Sequence, residues 1–276
     1  MKKFVAAFAF LLALSPVAMA QSSDPITAAN NHVGVQLGVS TLSYHEDARP
    51  DQNVGSVLDS ESGALPAVSL NASFQGPVFG INNIYVESGV TVIAGSATYK
   101  GYQLVANSQT GLGEALRYSH NMLELDYHLK VGKGFRLIPS LQVTPYVEYA
   151  LRYWDRESSE RYVDNDIGLG VLTQYAVTPK LVLGLDASLT RPISAYTNTT
   201  NFTEVQKPYW GPTVALTVDY ALTKRLHIVG EYQYSHSHFG QSSNVSGVFE
   251  GLPGEWYEPT EASTQNRVMV GLNYAF

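Results

Sequence analysis

Apolar and polar residues alternate along most of this chain, and the alternation recurs about ten times, which is the period-two signature of half-buried β-strands. HVGVQLGVSTLSY sets Val33, Val35, Leu37 and Val39 against Gly34, Gln36, Gly38 and Ser40. PAVSLNASF lines up Val68, Leu70, Ala72 and Phe74, and NIYVESGVTVIAG sets Val86, Val90 and Val92 opposite Glu87. In MLELDYHLKV, Leu123, Leu125, Tyr127 and Leu129 oppose Met122, Glu124, Asp126 and His128. QVTPYVEYALRYW and DIGLGVLTQYAV continue the pattern, with Glu148 and Arg152, then Asp166, on the polar side. In KLVLGLDASLT, Leu181, Leu183, Leu185, Ala187 and Leu189 oppose Asp186. WGPTVALTVDY and RLHIVGEYQYS place Asp219 and Glu231 on the polar face. The chain closes on NRVMVGLNYAF, where Val268, Val270, Leu272, Tyr274 and Phe276 oppose Arg267 and Asn273.

A soluble sandwich can show the same alternation, so length and rhythm decide. Several apolar faces run for about 9–11 residues, the length of a membrane-crossing strand, whereas globular strands average about 5–6. Short links (QGPVFGINN, GKGFRLIPS, TPK, ALTKR) alternate with long polar ones, such as those near 45–63 and 236–264. That rhythm predicts an all-β, transmembrane, up-and-down antiparallel barrel of about ten strands. Eight or twelve strands stay open, because the ninth run is hard to bound. Hydrocarbon offers no partner to backbone N–H and C=O groups, so the sheet must close and the last strand must pair with the first. Aromatic residues fall at both ends of the runs: Phe74, Tyr175, Tyr220 and Tyr274 at one, Tyr153, Trp210 and Tyr234 at the other. Girdles of this kind flank a lipid-facing band.

The first twenty residues, MKKFVAAFAFLLALSPVAMA, have the basic, apolar and small-x-small layout of a secretory signal. The expected organisation is a signal peptide over 1–20, a short periplasmic segment over 21–31 and the barrel over 32–276. Without Lys2 and Lys3 the charge is (17 − 2) − 24 = −9, which argues against a nucleic-acid partner. The chain has no cysteine, so no disulfide supports it.

The terminus VMVGLNYAF resembles the assembly signal of Gram-negative outer-membrane β-barrel proteins. The resemblance implies export, placement in the cell outer membrane among lipid and lipopolysaccharide, both termini in the periplasm, and folding by the barrel assembly machinery. In the first loop, YHEDARPDQNVGSVLDSESGALP resembles a Tyr-x-Glu … Ser-Glu-x-Gly-x-x-Pro pattern of some uncharacterised proteobacterial barrels, and this assigns no activity.

The inner face of such a barrel is predicted to carry Glu87, Glu124, Asp126, His128, Glu148, Arg152, Asp186, Asp219, Glu231 and Arg267. In a narrow lumen these groups must pair or be hydrated. A structural filling of salt bridges is the first reading; a cation-preferring pore is the second, since acids outnumber bases. Ten strands is similar in architecture to the omptins, whose protease activity rests on acidic pairs and an Asp–His pair at the outer rim. The candidates here are His236 and His238, with Asp155, Asp164 or Asp166, but no paired-aspartate segment matches. A lipid-A-modifying hydrolase finds no support either, since no Gly-x-Ser-x-Gly elbow occurs. No catalytic residue, metal site or cofactor is predicted. The outer loops are acidic (Glu46, Asp47, Asp51, Asp59 and Glu61; Glu250, Glu255, Glu258 and Glu261), and are read as solvated, or as bridging through divalent cations to lipopolysaccharide phosphates or to an extracellular ligand, although they lack calcium-loop spacing of the EF-hand kind. The function predicted is a structural or surface-interaction barrel without evident catalysis.

Overall fold

The computed structural model describes residues 24–105, 111–156, 160–199, 201–249 and 251–276. The predicted signal segment lies outside the described residues. Ten long strands form one antiparallel sheet: β1 (His32–Asp47), β2 (Val57–Val78), β3 (Ile81–Leu104), β4 (Leu112–Lys133), β5 (Leu141–Asp155), β6 (Glu160–Thr178), β7 (Leu181–Thr199), β8 (Gly211–Ala221), β9 (Leu226–Gly240) and β10 (Glu261–Ala275). Each pairs with its neighbour in sequence. The seam is β10 against β1, in register from His32↔Ala275 to Glu46↔Glu261. The terminal strand thus closes the cylinder, as backbone polarity in hydrocarbon requires.

Connections at one end are tight. Between β2 and β3, Phe79 (φ 48°) and Gly80 (φ 81°) both adopt left-handed backbone, the conformation of a two-residue hairpin whose twist suits its strands. Around the cylinder, outward side chains such as Leu37, Val68, Val147, Leu169, Leu185, Leu216 and Val270 stay exposed although large and apolar. A contiguous apolar belt of this size needs an apolar solvent. Tyr274, Tyr220 and Tyr175 border it at the turn end, and Trp210 and Tyr209 toward the other.

The strands run much farther than the belt. β3 has 24 residues, and β2 and β4 have 22 each. At ~3.3 Å per residue and a tilt near 40–45°, 24 residues climb roughly 55–60 Å, against an apolar band of about 25 Å. Much of what sequence assigns to the long loops is therefore strand. Above the belt the hydrophobic sense inverts. Ser43, His45 and Asp47 point outward on β1, whereas Leu42, Tyr44 and Glu46 point inward and are buried. An interior cluster of Leu42, Leu65, Ala67, Ile93, Ala97, Met122, Trp154 and Met269 packs with Tyr44 and Tyr162. The inner face is thus not uniformly polar.

The segment before β1 is not a loose tail. Asp24 caps a short helix, α1 (Pro25–Ala29), by accepting from Thr27 N at 2.8 Å, and Pro25 starts it. Ile26 is fully buried against Ala29, Val182 and Ala176. Asn30 donates to Gln75 and Gln174, each at 2.7 Å, and Gln75 exchanges amide hydrogen bonds with Gln142 at 2.9 Å. Asn31 pairs with the Gln75 backbone as a strand would, donating to its O and accepting from its N. Arg136 reaches Asp24 at 2.8 Å. Together these groups stopper the turn end.

Candidate functional site

Three polar assemblies are stacked inside the barrel. Nearest the stopper, Lys130 lies between Glu87 at 3.2 Å and Asp186 at 2.6 Å, with Tyr146 donating to Asp186 and Tyr85 to Glu87. His128 adds a contact to Glu87 at 3.1 Å, and His227 sits 2.6 Å from Asp219. Farther up, Glu124 accepts from Arg152 Nε at 2.9 Å and from Gln265 Nε2, while Arg267 pairs with Asp126. Apart from Tyr146 and His227, these groups line a cavity of about 280 Å³, and Glu148 and Glu231 border it too. All ten residues predicted for the inner face line this cavity. Lys130, which joins two of them, continues the same period-two series from Glu124 and was readable from it.

Beyond the belt, at the loop end, Arg156 follows directly on β5 and is 2% exposed. Its guanidinium donates to Glu46 at 2.6 Å, Asp59 at 3.0 Å, Glu160 at 3.1 Å and Glu61, and to the Tyr162 hydroxyl at 3.0 Å. His120 approaches Glu61 at 3.2 Å. Tyr44 donates to Glu46 and Glu261 at 2.7 and 2.6 Å by its single hydroxyl, a shared proton between two acceptors. Tyr162 donates to Glu258 at 2.6 Å. Trp154 stacks on Tyr162 with centroids 5.0 Å apart, beneath the guanidinium.

Burial sets the protonation of this hub. It drives the carboxyls of Asp59 and Glu258 well above the usual range; Arg156 opposes the shift at Asp59, and neighbouring acids reinforce it at Glu258. Burial also raises Glu204 and Glu261 to about 7. At Glu61 burial is outweighed by Arg156 and His120, and the carboxyl stays below its ordinary value. Tyr44 and Tyr162 are pushed well up by burial and adjacent acids, so both remain hydrogen-bond donors. The acids read from sequence as solvated loop residues are therefore divided. Glu46, Asp59, Glu61, Glu258 and Glu261 belong to the buried hub, whereas Asp47 and Asp51 are exposed. Glu250 lies outside the described residues.

Above the hub sits a cup of about 660 Å³. Its walls include Tyr99, Tyr102, Tyr118, Phe202, Trp256 and Tyr257, with Asp59, Glu160, Glu204 and Glu258 among the acids that line it.

No family model matches the sequence, and no curated protein does. Among solved structures, the outer membrane protease OmpT from Escherichia coli is similar with a TM-score of 0.53 at 11% identity, over 90% of this chain and 97% of that one. The chain has the outer-membrane β-barrel fold. The translocator domain of the autotransporter NalP from Neisseria meningitidis (TM-score 0.42, 13% identity, 89% of each chain) and Neisserial surface protein A (0.35, 11%, 88% of this chain and 97% of that) were also found.

Within this outer-membrane barrel, the histidines singled out at the rim are not joined to the aspartates singled out with them. His236 contacts the Thr264 hydroxyl at 3.0 Å, and the His238 ring lies 4.8 Å from that of Tyr209. Both alternate with the inward Ser235, Ser237 and Phe239, so they share the outward face of β9. Asp155 faces Arg161 at 3.9 Å, Asp166 accepts from Thr190 at 3.4 Å, and Asp164 is buried in the lumen. Val268, Val270, Leu272 and Tyr274 face outward along the seam, and Phe276 N donates to Asn31 O at 3.1 Å.

Proposed function

We propose that this chain is a non-conducting, non-catalytic outer-membrane barrel that works by binding at the cell surface through its loop-end cup. The stoppered turn end carries this reading. A buried helix and a closed net of amides stand where an ion would leave the lumen, whereas the other end forms an aromatic-walled recess. In this reading the short turns and both termini face the periplasm, the terminal strand serves as the assembly signal for the barrel assembly machinery, and the hub and cup stand above the lipopolysaccharide. Aromatic walls over a carboxylate floor suit a ligand with an apolar body and a cationic group.

Planar-bilayer recording of the refolded chain tests it. The parent should give no single-channel steps. Deletion of residues 24–31 should produce small cation-selective steps that weaken further when Glu124 or Glu148 is changed to Gln. Stepwise conductance by the parent would refute the stoppered reading.

A further inference from the structure

The loop-end hub holds more carboxyl groups than basic ones. Arg156 is engaged by Glu46, Asp59, Glu61 and Glu160, and His120 by Glu61. Glu258 and Glu261 are 4% exposed, and among the described residues neither has an ion pair; their side-chain partners are tyrosine hydroxyls, the Gln206 amide and, for Glu258, the Glu204 carboxyl. One carboxylate oxygen from each of Glu46, Glu258 and Glu261 lies within 4.8 Å of the other two. Oxygens that close can share one calcium ion, whose Ca–O distance is about 2.4 Å.

A second observation comes from a different part of the chain. A short strand, Thr203–Val205, pairs with the end of β7 and turns Glu204 and Gln206 inward, leaving Val205 outside. Gln206 donates from Nε2 to Glu261 at 2.8 Å, so its carboxamide lies against the acids, yet its Oε1 has no hydrogen-bond partner. The Glu204 carboxyl lies against that of Glu258, and its Oε1 is also without a partner. Both side chains are 3% exposed. Buried oxygens rarely stay unpaired, and two carboxyls in contact need a proton or a cation between them. Acceptors without donors beside Glu258 and Glu261, which lack a counter-ion, form with Glu46 a donor set made only of hard oxygens, which suits calcium-class ions over zinc or copper.

We propose that Glu46, Glu258 and Glu261, with Glu204 and Gln206 completing the shell, bind a divalent cation of the calcium class. The ion ties the β1–β10 corner of the mouth to the segment folded over from β7, and so fixes the floor of the cup. This goes beyond the surface-binding reading and does not depend on it.

Terbium luminescence tests the site, because Tyr44, Tyr162 and Trp154 lie close enough to sensitise an ion held there. The full chain is refolded in detergent, stripped with chelator and titrated with terbium under aromatic excitation. Saturable emission displaced by calcium is expected. Glu258→Gln and the Glu258→Gln/Glu261→Gln pair should weaken it roughly tenfold or more, the loss expected on removing charged oxygen ligands. Glu231→Gln, in the lumen, should bind as the parent does. Both hub variants remove like charge, and heat-modifiable gel mobility checks that they fold. No saturable emission from the parent, emission that calcium does not displace, or undiminished binding by the double variant would each overturn the proposal.

Discussion

Arg156→Met is the most demanding perturbation of this barrel. The side chain is 2% exposed, and its donors reach four carboxyls and a tyrosine. Methionine fills much of the volume, so the change is chiefly one of charge. Breaking a buried ion pair by removing one partner costs about 3–5 kcal/mol, and the four contacts do not add because they share one guanidinium. Protons offer a partial escape. In the parent, Arg156 helps to hold Glu61 below its ordinary value, so that group contributes stability above its unfolded pKa and loses it only as pH falls through the folded one. Without Arg156 the dominant influence left on Glu61 is burial, which raises it, and the sign reverses: stability then falls as pH rises. Each unit by which a hub carboxyl moves above pH 5 returns about 1.4 kcal/mol on acidification to pH 5. The variant should therefore lose about 3–5 kcal/mol at pH 8 and clearly less at pH 5. Urea unfolding in phospholipid vesicles, followed by tryptophan fluorescence, measures both. Arg156→Lys keeps the charge but not the planar fork, and should fall between. Equal stability of parent and variant at pH 8, or an equal gap at both pH values, would refute the hub as described.

Three further outcomes follow from the geometry. Leu185→Arg, at the middle of the outward series on β7, should cost about 2–4 kcal/mol in vesicles, and unimpaired insertion would show the belt to be misassigned. Glu124→Leu, on the inner face, should cost a comparable ~3–5 kcal/mol by stranding Arg152 and Gln265, and pairing it with Arg152→Leu should recover part of that loss in a double-mutant cycle. In chelator, Glu204 and Glu261, raised by burial to about 7, hold protons in the folded barrel that the unfolded chain has released; stability should fall as pH rises from 4.5 to about 7, and a rising profile would contradict the protonation described.

Sequence reveals the belt because lipid and lumen impose opposite polarity on alternate residues, and Leu37, Leu185 and Val270 repeat that contrast at the full length of a crossing. It reveals the seam because a final strand in hydrocarbon cannot stay unpaired. The extensions escape notice for a definite reason. Above the belt the outside is water, so β1 carries Ser43 and His45 outward and Leu42 and Tyr44 inward. The alternation continues in opposite sense, and a reader following one sense meets an apparent loop. The hub is hidden by distance: Arg156 meets Glu61 and Asp59 from 95 and 97 positions away, and Tyr44 meets Glu261 from 217. No spacing rule reaches so far. For His236 and His238, parity from the inward Glu231 already sets both on the outward face, away from the luminal aspartates. Helix α1 is too short for periodicity, although Asp24-Pro25 is a helix-start signal.

The inside of this barrel is also a consequence of the outside. A lumen filled with well-packed apolar residues would often be as stable as one filled with ion pairs, since desolvation offsets much of the Coulombic gain. Apolar residues on both faces, however, would create long apolar runs, and about 18 in succession read as a membrane-spanning helix. Polar residues at alternate positions keep the unassembled chain clear of that fate; the mean hydropathy is −0.07. The largest apolar cluster of the interior reaches above the belt, at Leu42 and Trp154, where outward residues such as Ser43 and His45 are polar and the alternation is kept, and smaller ones at the turn end include Leu172 and Val182. On this argument the luminal pairs around Glu87 and Glu124 exist because one face must stay polar, and their pairing is what makes that face compatible with a narrow closed cylinder. The hub is different: its outward neighbours are already polar, so the demand for alternation does not account for the acids packed around Arg156. That concentration of carboxyl groups requires a separate cause, and a cation bound between Glu46, Glu258 and Glu261 supplies one.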